Sequence, residues 1–447
     1  MSFHSELHAA AAYANPEEFS NFKKRIDPKW IDEALQATGT ATVRRRRLPA
    51  VQVIWLVIGM ALFRNRCIEE VAAKLNLCLP GSRGPVVASS AIPQARARIG
   101  EEPVRWLFER TGSAWAERSA DADRWRGFAL YSIDGSSLRV PDSQGNRDFF
   151  GGHSGGERGD SGYPLARVVG LMALRSHILK AVRFGPFDGT SEDSLTQELL
   201  PDIPDNSLTV LDRNFIKATC LIPIAGNGQN RHWLTKAKKN TRMKVIERVG
   251  RGDNIVQLNV STKARAKIPS LPKHYIARAI RYQRKGYKAR TLLTSLLDAK
   301  EYPKGEIASL YHERWEIELG YGEIKTDMLE RQEAIRSKTP MGVRQEIWGI
   351  LIAFNMVRLE MEKVAEEARV PPTRISFVTS LHMIRDEMLW CAVASPGAIP
   401  KHLKNLRADL QRYVLPPRRG DRSYPRAVKI KISKWPRKKP TTTKSKA

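Results

Sequence analysis

Phe128-Ala129-Leu130-Tyr131-Ser132-Ile133-Asp134 is where the periodicity of this chain changes. Apolar residues cluster at helical spacing up to about residue 125. From Phe128 the run is short, β-branched and aromatic, and reads as a strand continuing through Leu138 and Val140. A polar, Gly-rich loop follows over 145–162. Two further strands are predicted at 166–174 and 179–184, then a short helix at 191–200 with Ser and Asp at its start. A fourth strand at 207–211 ends on Asp212-Arg213-Asn214-Phe215, and 216–224 is again helical.

Three strands, a helix, a strand and a helix form the order that opens an RNase H-like domain. The fold class expected is therefore α/β, a mixed sheet with flanking helices. Residues 230–297 carry five more short alternating segments bounded by Gly, Pro or Asn, at 232–237, 244–248, 254–261, 275–281 and 289–295. They read as a β-rich insertion that interrupts the domain. Long helices are predicted at 306–330 and 342–367, with further helical stretches at 375–393 and 400–413. The domain reading is a helical N-terminal DNA-binding region at 1–125, catalytic parts at 126–229 and 298–370 around the insertion, a helical C-terminal region at 371–416 and a basic tail at 417–447.

Lys and Arg number 75 against 47 Asp and Glu, a formal charge of +28. Such a surplus favours a polyanion, because each cation set against a phosphate releases condensed counterions. The tail from Arg418 holds twelve Lys/Arg and one Asp, and its composition predicts disorder. The rest of the chain remains about +17, so the tail does not create the signal alone. Nucleic acid is favoured over a membrane surface, since no lipid-anchor motif or basic amphipathic terminus accompanies the charge. The apolar run at 51–63 is too short to span a bilayer. Cys67, Cys78, Cys220 and Cys391 are scattered in apolar settings without a CxxC pair, which reads as buried free thiols in a reducing, cytoplasmic compartment. Ser90-Ala91-Ile92-Pro93-Gln94-Ala95-Arg96-Ala97-Arg98, after a shorter helix at 68–77, suits a helix-turn-helix-like reader with Arg96 and Arg98 on DNA. A helical bundle with a basic face fits the same residues.

The chemistry is concentrated at 311–325. Tyr311, Arg314, Glu318 and Lys325 are spaced by three, four and seven residues, which returns them to one face of a 3.6-residue helix. A carboxylate there can hold a metal ion while Arg, Lys and the phenol grip phosphate oxygens; the plainer reading is a solvated face with Glu/Lys pairing. Asp134 and Asp212 sit within or at the end of apolar strands, where a carboxylate is costly unless a cation pairs with it. Either could instead be a turn or cap residue. Three carboxylates from two strands and a helix suggest two-metal phosphoryl transfer, with two Mg²⁺ or Mn²⁺ ions about 3.5–4 Å apart. No GxxxxGK[ST] loop supports an NTPase, and His153 has no GxSxG partner for serine hydrolysis.

Tyr311-x-x-Arg314-x-x-x-Glu318-x-x-x-x-x-x-Lys325 is similar to the YREK signature of insertion sequence 4 family transposases. Asp134-Gly135-Ser136 resembles that family's first catalytic block and Asp212-Arg213-Asn214-Phe215 its second. The stretch from Asp27-Pro28-Lys29-Trp30-Ile31 through Arg44-Arg45-Arg46-Arg47-Leu48-Pro49 resembles its N-terminal region. The resemblance implies a nucleoid-associated bacterial DDE transposase that cuts at terminal inverted repeats and joins the freed 3′-OH to target DNA. It implies Asp134, Asp212 and Glu318 as ligands of two Mg²⁺ or Mn²⁺ ions, and Tyr311, Arg314 and Lys325 on DNA, with Arg213 beside them. It further implies a homodimer in a paired-end complex. Related enzymes stack a flipped base on an aromatic of the insertion; the last insertion strand here holds no Trp, and Trp233 is the nearest candidate, though a core Trp fits it better. The alternative expectation is a DNA-binding regulator derived from a transposase that has lost catalysis.

Overall fold

The computed structural model describes residues 26–41, 48–75, 90–153, 162–283, 288–330, 335–391 and 399–417. The arginine run at 44–47, Cys78 and the basic tail lie outside these residues. Helices α1 (Pro28–Ala37), α2 (Ala50–Leu62), α3 (Ile68–Lys74), α4 (Ala91–Ile99) and α5 (Glu102–Ala122) lead into β1 (Ala129–Arg139). Then come α6 (Gln144–Phe150), β2 (Leu165–Ala173), β3 (Leu179–Pro186), α7 (Glu192–Leu199), β4 (Ser207–Leu211) and α8 (Ala218–Gly226). The Ser191 hydroxyl and Ser194 close a capping box that fixes the start of α7.

Strand β5 (Arg231–Lys236) is followed by β6 (Met243–Gly250), β7 (Asp253–Asn259), the short α9 (Thr262–Lys267), β8 (His274–Tyr282) and β9 (Arg290–Thr294). All nine strands described join one sheet, in the order β3-β2-β1-β4-β5-β9-β8-β7-β6. Strands β1, β4 and β5 run parallel, and the remaining pairs are antiparallel. The chain is thus a mixed α/β structure. The five segments at 232–295 are continuous with the sheet: β5 pairs in parallel with β4, and β9 pairs with β5.

The long helix expected at 306–330 is instead divided. It forms α10 (Lys304–His312), α11 (Trp315–Gly322) and a π turn (Glu323–Met328). At the break the amides of Glu313, Arg314 and Glu316 bond three residues back, which tightens the winding. The Arg175 guanidinium, on the β2–β3 turn, holds Glu313 there through two bonds of 2.8 and 3.0 Å. No Gly or Pro marks the place, so the helical pattern alone does not reveal it.

Helix α12 (Pro340–Ala368) is the central buried helix; α13 (Phe377–Cys391) and α14 (Ile399–Gln411) pack on it. Helix α2 is buried along nearly its whole length, which explains its continuous apolar run. It lies so close to α12 that a Cβ on Gly349 would stand 2.6 Å from Val57 Cγ1 and 2.8 Å from its carbonyl. The N-terminal helices, one sheet face and α12 therefore share one core. A smaller cluster of Leu130, Leu208, Val210, Leu292, Leu310 and Tyr311 sits under α10. Among the described residues no helix is long and apolar enough to cross a membrane.

Two expectations need correction here. Cys67 is exposed rather than buried, while Cys220 is a buried free thiol pushed up to about 12 by burial. Arg96 is turned inward: its guanidinium bonds Gln345 Oε1 (2.8 Å), Ser337 Oγ (3.0 Å) and the Gly342 carbonyl (3.1 Å). A buried guanidinium needs such acceptors, so Arg96 ties α4 to α12 and is unavailable to DNA in this conformation. Arg98 is half-buried and donates to the Leu48 carbonyl at 3.0 Å.

Candidate active site

Strand pairing brings the two aspartates together. Ile133 is the register partner of Leu211 on the parallel strand β4, so Asp134 and Asp212 are the next residues along adjacent strands. Neighbouring strands lie about 4.8 Å apart, and alternate residues face opposite sides. Tyr131 and Ile133 point to one face, where the Tyr131 hydroxyl meets the Ala116 carbonyl of α5. Asp134 and Asp212 point to the other, the face covered by α10 and α11.

That face is shaped by glycine. Gly170 lies opposite Asp134 across the β1–β2 pair, and a Cβ there would stand 2.8 Å from the Tyr321 hydroxyl. The space lets Tyr321, on α11, donate to the Asp134 carbonyl at 2.8 Å. Gly320 likewise seats α11 on Met172. Helix α11 is further fastened by buried His177, whose ring nitrogens reach Glu316 (2.9 Å) and Glu323 (3.1 Å) on either side of Glu318.

The result is an open cavity of about 320 Å³ lined by Asp134, Ser136, Glu318, Tyr321 and Lys325. Lys325 reaches Ser136 Oγ at 3.3 Å, and burial followed by Arg139 holds its ammonium below the ordinary value. Burial pushes the Asp134 carboxyl up to about 6, against the lowering pull of the Gly135 amide and Arg314; Glu192 and Glu318 raise it further. Arg314 is buried, pairs with Glu318 at 2.8 Å and lies over the Trp315 ring at 5.0 Å. Tyr311 is packed in the smaller core with its hydroxyl beside Arg314, and burial raises it to about 12. Arg213 is exposed next to Asp212. Lys236 is held low by burial, then by Arg290 and Arg213, and Asp212 partly offsets this.

So Glu318 and Lys325 still share one cavity with Asp134 although a π turn intervenes, and Tyr311 and Arg314 flank it from across the helix break. Sequence reasoning missed three residues near this site. Glu192 approaches from the opposite face, where a Cβ on Gly135 would stand 2.2 Å from its Oε1; burial raises its carboxyl, and Asp212 adds to this. Trp315 and Leu319 are large apolar side chains left exposed on α11. Period counting sets both on the side away from the buried residues Ile317, Tyr321, Ile324 and Met328, and that was the available signal for them. Trp233 is 2% exposed and is a core residue.

The donor set suits a hard divalent cation. Asp134 and Glu318 both present carboxylates to the cavity, and a divalent ion bound there would favour the ionised form of Asp134. Glu318 is paired with Arg314, and among the described residues no three His, Cys, Asp or Glu side chains are grouped as a metal site.

Comparison with known proteins defines the class. Residues 125–356 match the model of the transposase DDE domain, and residues 16–109 match that of the insertion element 4 transposase N-terminal region. The chain is 39% identical over 414 residues to the transposase InsG for insertion sequence element IS4 of Escherichia coli (strain K12), covering 92% of each protein. It belongs to the insertion sequence 4 family of DDE transposases. Among solved structures, a piggyBac transposase synaptic complex with hairpin DNA aligns at TM-score 0.39 and 11% identity, over 92% of this chain and 87% of that one.

Proposed function

We propose that this transposase moves its element by cut-and-paste, cleaving DNA at terminal inverted repeats and joining the freed 3′-OH to target DNA. The sheet from β3 to β5 with its helices is read as an RNase H-like catalytic domain, and β6 to β9 as its insertion. The observation that carries the reading is the shared cavity of Asp134, Glu318 and Lys325, with Asp212 at the end of the parallel strand next to Asp134. Asp134, Asp212 and Glu318 would hold the divalent ions. When bound, Mg²⁺ or Mn²⁺ would activate the attacking oxygen and stabilise the leaving one.

The chain's own groups perform the rest. Tyr321 fixes the backbone of Asp134 and therefore the direction of its carboxylate. Arg314 neutralises Glu318 before any cation arrives and offers a planar fork to a phosphate oxygen. Lys325 is a second, movable cation on the same cavity wall. The Tyr311 hydroxyl orients Arg314 rather than reaching DNA by itself. The family and the +28 charge support double-stranded DNA as partner. Holding two element ends at once calls for a homodimer, in keeping with the paired-end complex that the family resemblance implies.

A two-plasmid assay tests the proposal. The purified protein, Mg²⁺, a plasmid carrying the element and a second target plasmid should yield excised element and insertions joined through 3′ ends. Cleavage without joined product would identify a nuclease. Binding without cleavage would identify a regulator.

A further inference from the structure

We infer that this chain carries a second phosphodiester-binding groove, distinct from the catalytic cavity, between the segment after Asp212 and the sheet of the β6–β8 strands. A cavity of about 660 Å³ opens there, lined by Lys217, Lys238, Arg242, Lys263 and Lys267 with Asp193 as its single acid. Asp193 is already shared, at 2.9 Å from both Lys217 and Lys267. It neutralises one positive charge and leaves an excess of four. Lys238, Arg242 and Lys263 are exposed and have no acidic partner among the described residues.

Like charges held around one concavity repel, and without an anion this arrangement costs free energy. The groove meets the need of a phosphate chain well: Asn240, Thr241 and Ser261 line it as neutral hydrogen-bond partners between the cations. Its position makes DNA the fitting polyanion. Thr235 on β5 donates to the Asp212 carbonyl at 3.2 Å, and Lys236 and then Lys238 follow it at the end of that strand. Lys217 follows Asp212 by five residues, after a 3₁₀ turn at Arg213–Phe215. A basic track therefore leaves the carboxylates at Arg213 and Lys236 and enters this groove. It would seat duplex phosphates beyond the cleaved bond, from the element's own end or from target DNA. The identity of the polyanion rests on the DNA-processing reading above, but the binding test requires no cleavage.

The test compares wild type with Lys238→Ala/Arg242→Ala/Lys263→Ala by fluorescence anisotropy, on a duplex carrying the element's end and on one of unrelated sequence. Each phosphate contact contributes about 0.9 to the slope of log affinity against log salt. The triple variant should lose about 2.7 from that slope. Between 50 and 200 mM salt, wild type should then weaken about 40-fold more than the variant. Loss on the end duplex alone assigns the groove to the element's end; loss on both assigns it to any duplex, including target. Lys238→Arg/Arg242→Lys/Lys263→Arg should restore the slope. Equal slopes for wild type and the alanine variant on both duplexes would overturn the inference. So would an equal loss in Lys401→Ala/Lys404→Ala/Arg412→Ala, which removes the same charge from exposed C-terminal positions.

Discussion

Replacing Asp134 by asparagine should make the metal-free protein more stable while removing its activity. The Asp134 carboxyl is raised from 3.8 to about 6, chiefly by burial. A shift of that size corresponds to about 3 kcal/mol at about 1.4 kcal/mol per pH unit. Part of the side chain still meets solvent, which reduces the cost to about 2 kcal/mol. The sign follows from linkage. A carboxyl whose folded-state value lies above its unfolded one is a cost at pH above 6, and the cost fades as pH falls toward 4. Asparagine keeps an oxygen for the Gly135 amide, which lies 2.9 Å from Asp134 Oδ1 in the wild type, and carries no charge. In EDTA at pH 8 the variant should therefore melt on the order of 2–4 °C higher than wild type, with the gap closing near pH 4. Saturating Mg²⁺ should stabilise wild type and not the variant; at a hundred times its Kd the ion contributes about 2.7 kcal/mol. A variant that melts at or below wild type at pH 8, or a gap that does not depend on pH, would refute the burial of an unneutralised Asp134.

Arg314→Gln removes both the 2.8 Å partner of Glu318 and the phosphate fork; single-turnover cleavage should fall about 100-fold with end binding changed far less. Arg64→Ala removes the cation paired with the buried Glu346 carboxylate at 2.6 Å and leaves it only the Arg336 and Ser337 amides and the Ser337 hydroxyl; urea denaturation should show a loss of about 3 kcal/mol. Gly349→Ala forces a methyl against Val57 where α2 and α12 touch, and should cost about 1–3 kcal/mol in the same assay. Arg96→Met should lower stability yet leave the salt dependence of DNA binding unchanged, because its guanidinium is spent on Gln345, Ser337 and Gly342.

Much of the sheet was legible because its signal is local. The strands at 128–140, 166–174, 179–184 and 207–211 alternate or run apolar between clear breaks, and so do the five segments after residue 230. What stayed hidden depends on distant contacts. The break at Glu313 is held by Arg175, 138 residues away in sequence, so nothing near Glu313 announces it. Arg96 is basic and sits on a helix, which suits DNA, but its acceptors come from residues 337–345. Counting residues at 3.6 per turn sets Glu318 and Lys325 on one face, and they do line one cavity. They reach it through a π turn that this counting does not include. The proximity of Asp134 to Asp212 is a matter of parallel register between β1 and β4, which neither local segment encodes.

The most direct measurement is strand cleavage on DNA carrying the element's own ends, in Mg²⁺ and in EDTA, by wild type and by Asp134→Ala, Asp212→Ala and Glu318→Ala. Wild type should cleave in Mg²⁺ and not in EDTA, and each variant should bind the same DNA while failing to cut it. Cleavage that survives in any one of the three variants, or that persists in EDTA, would contradict the carboxylate site.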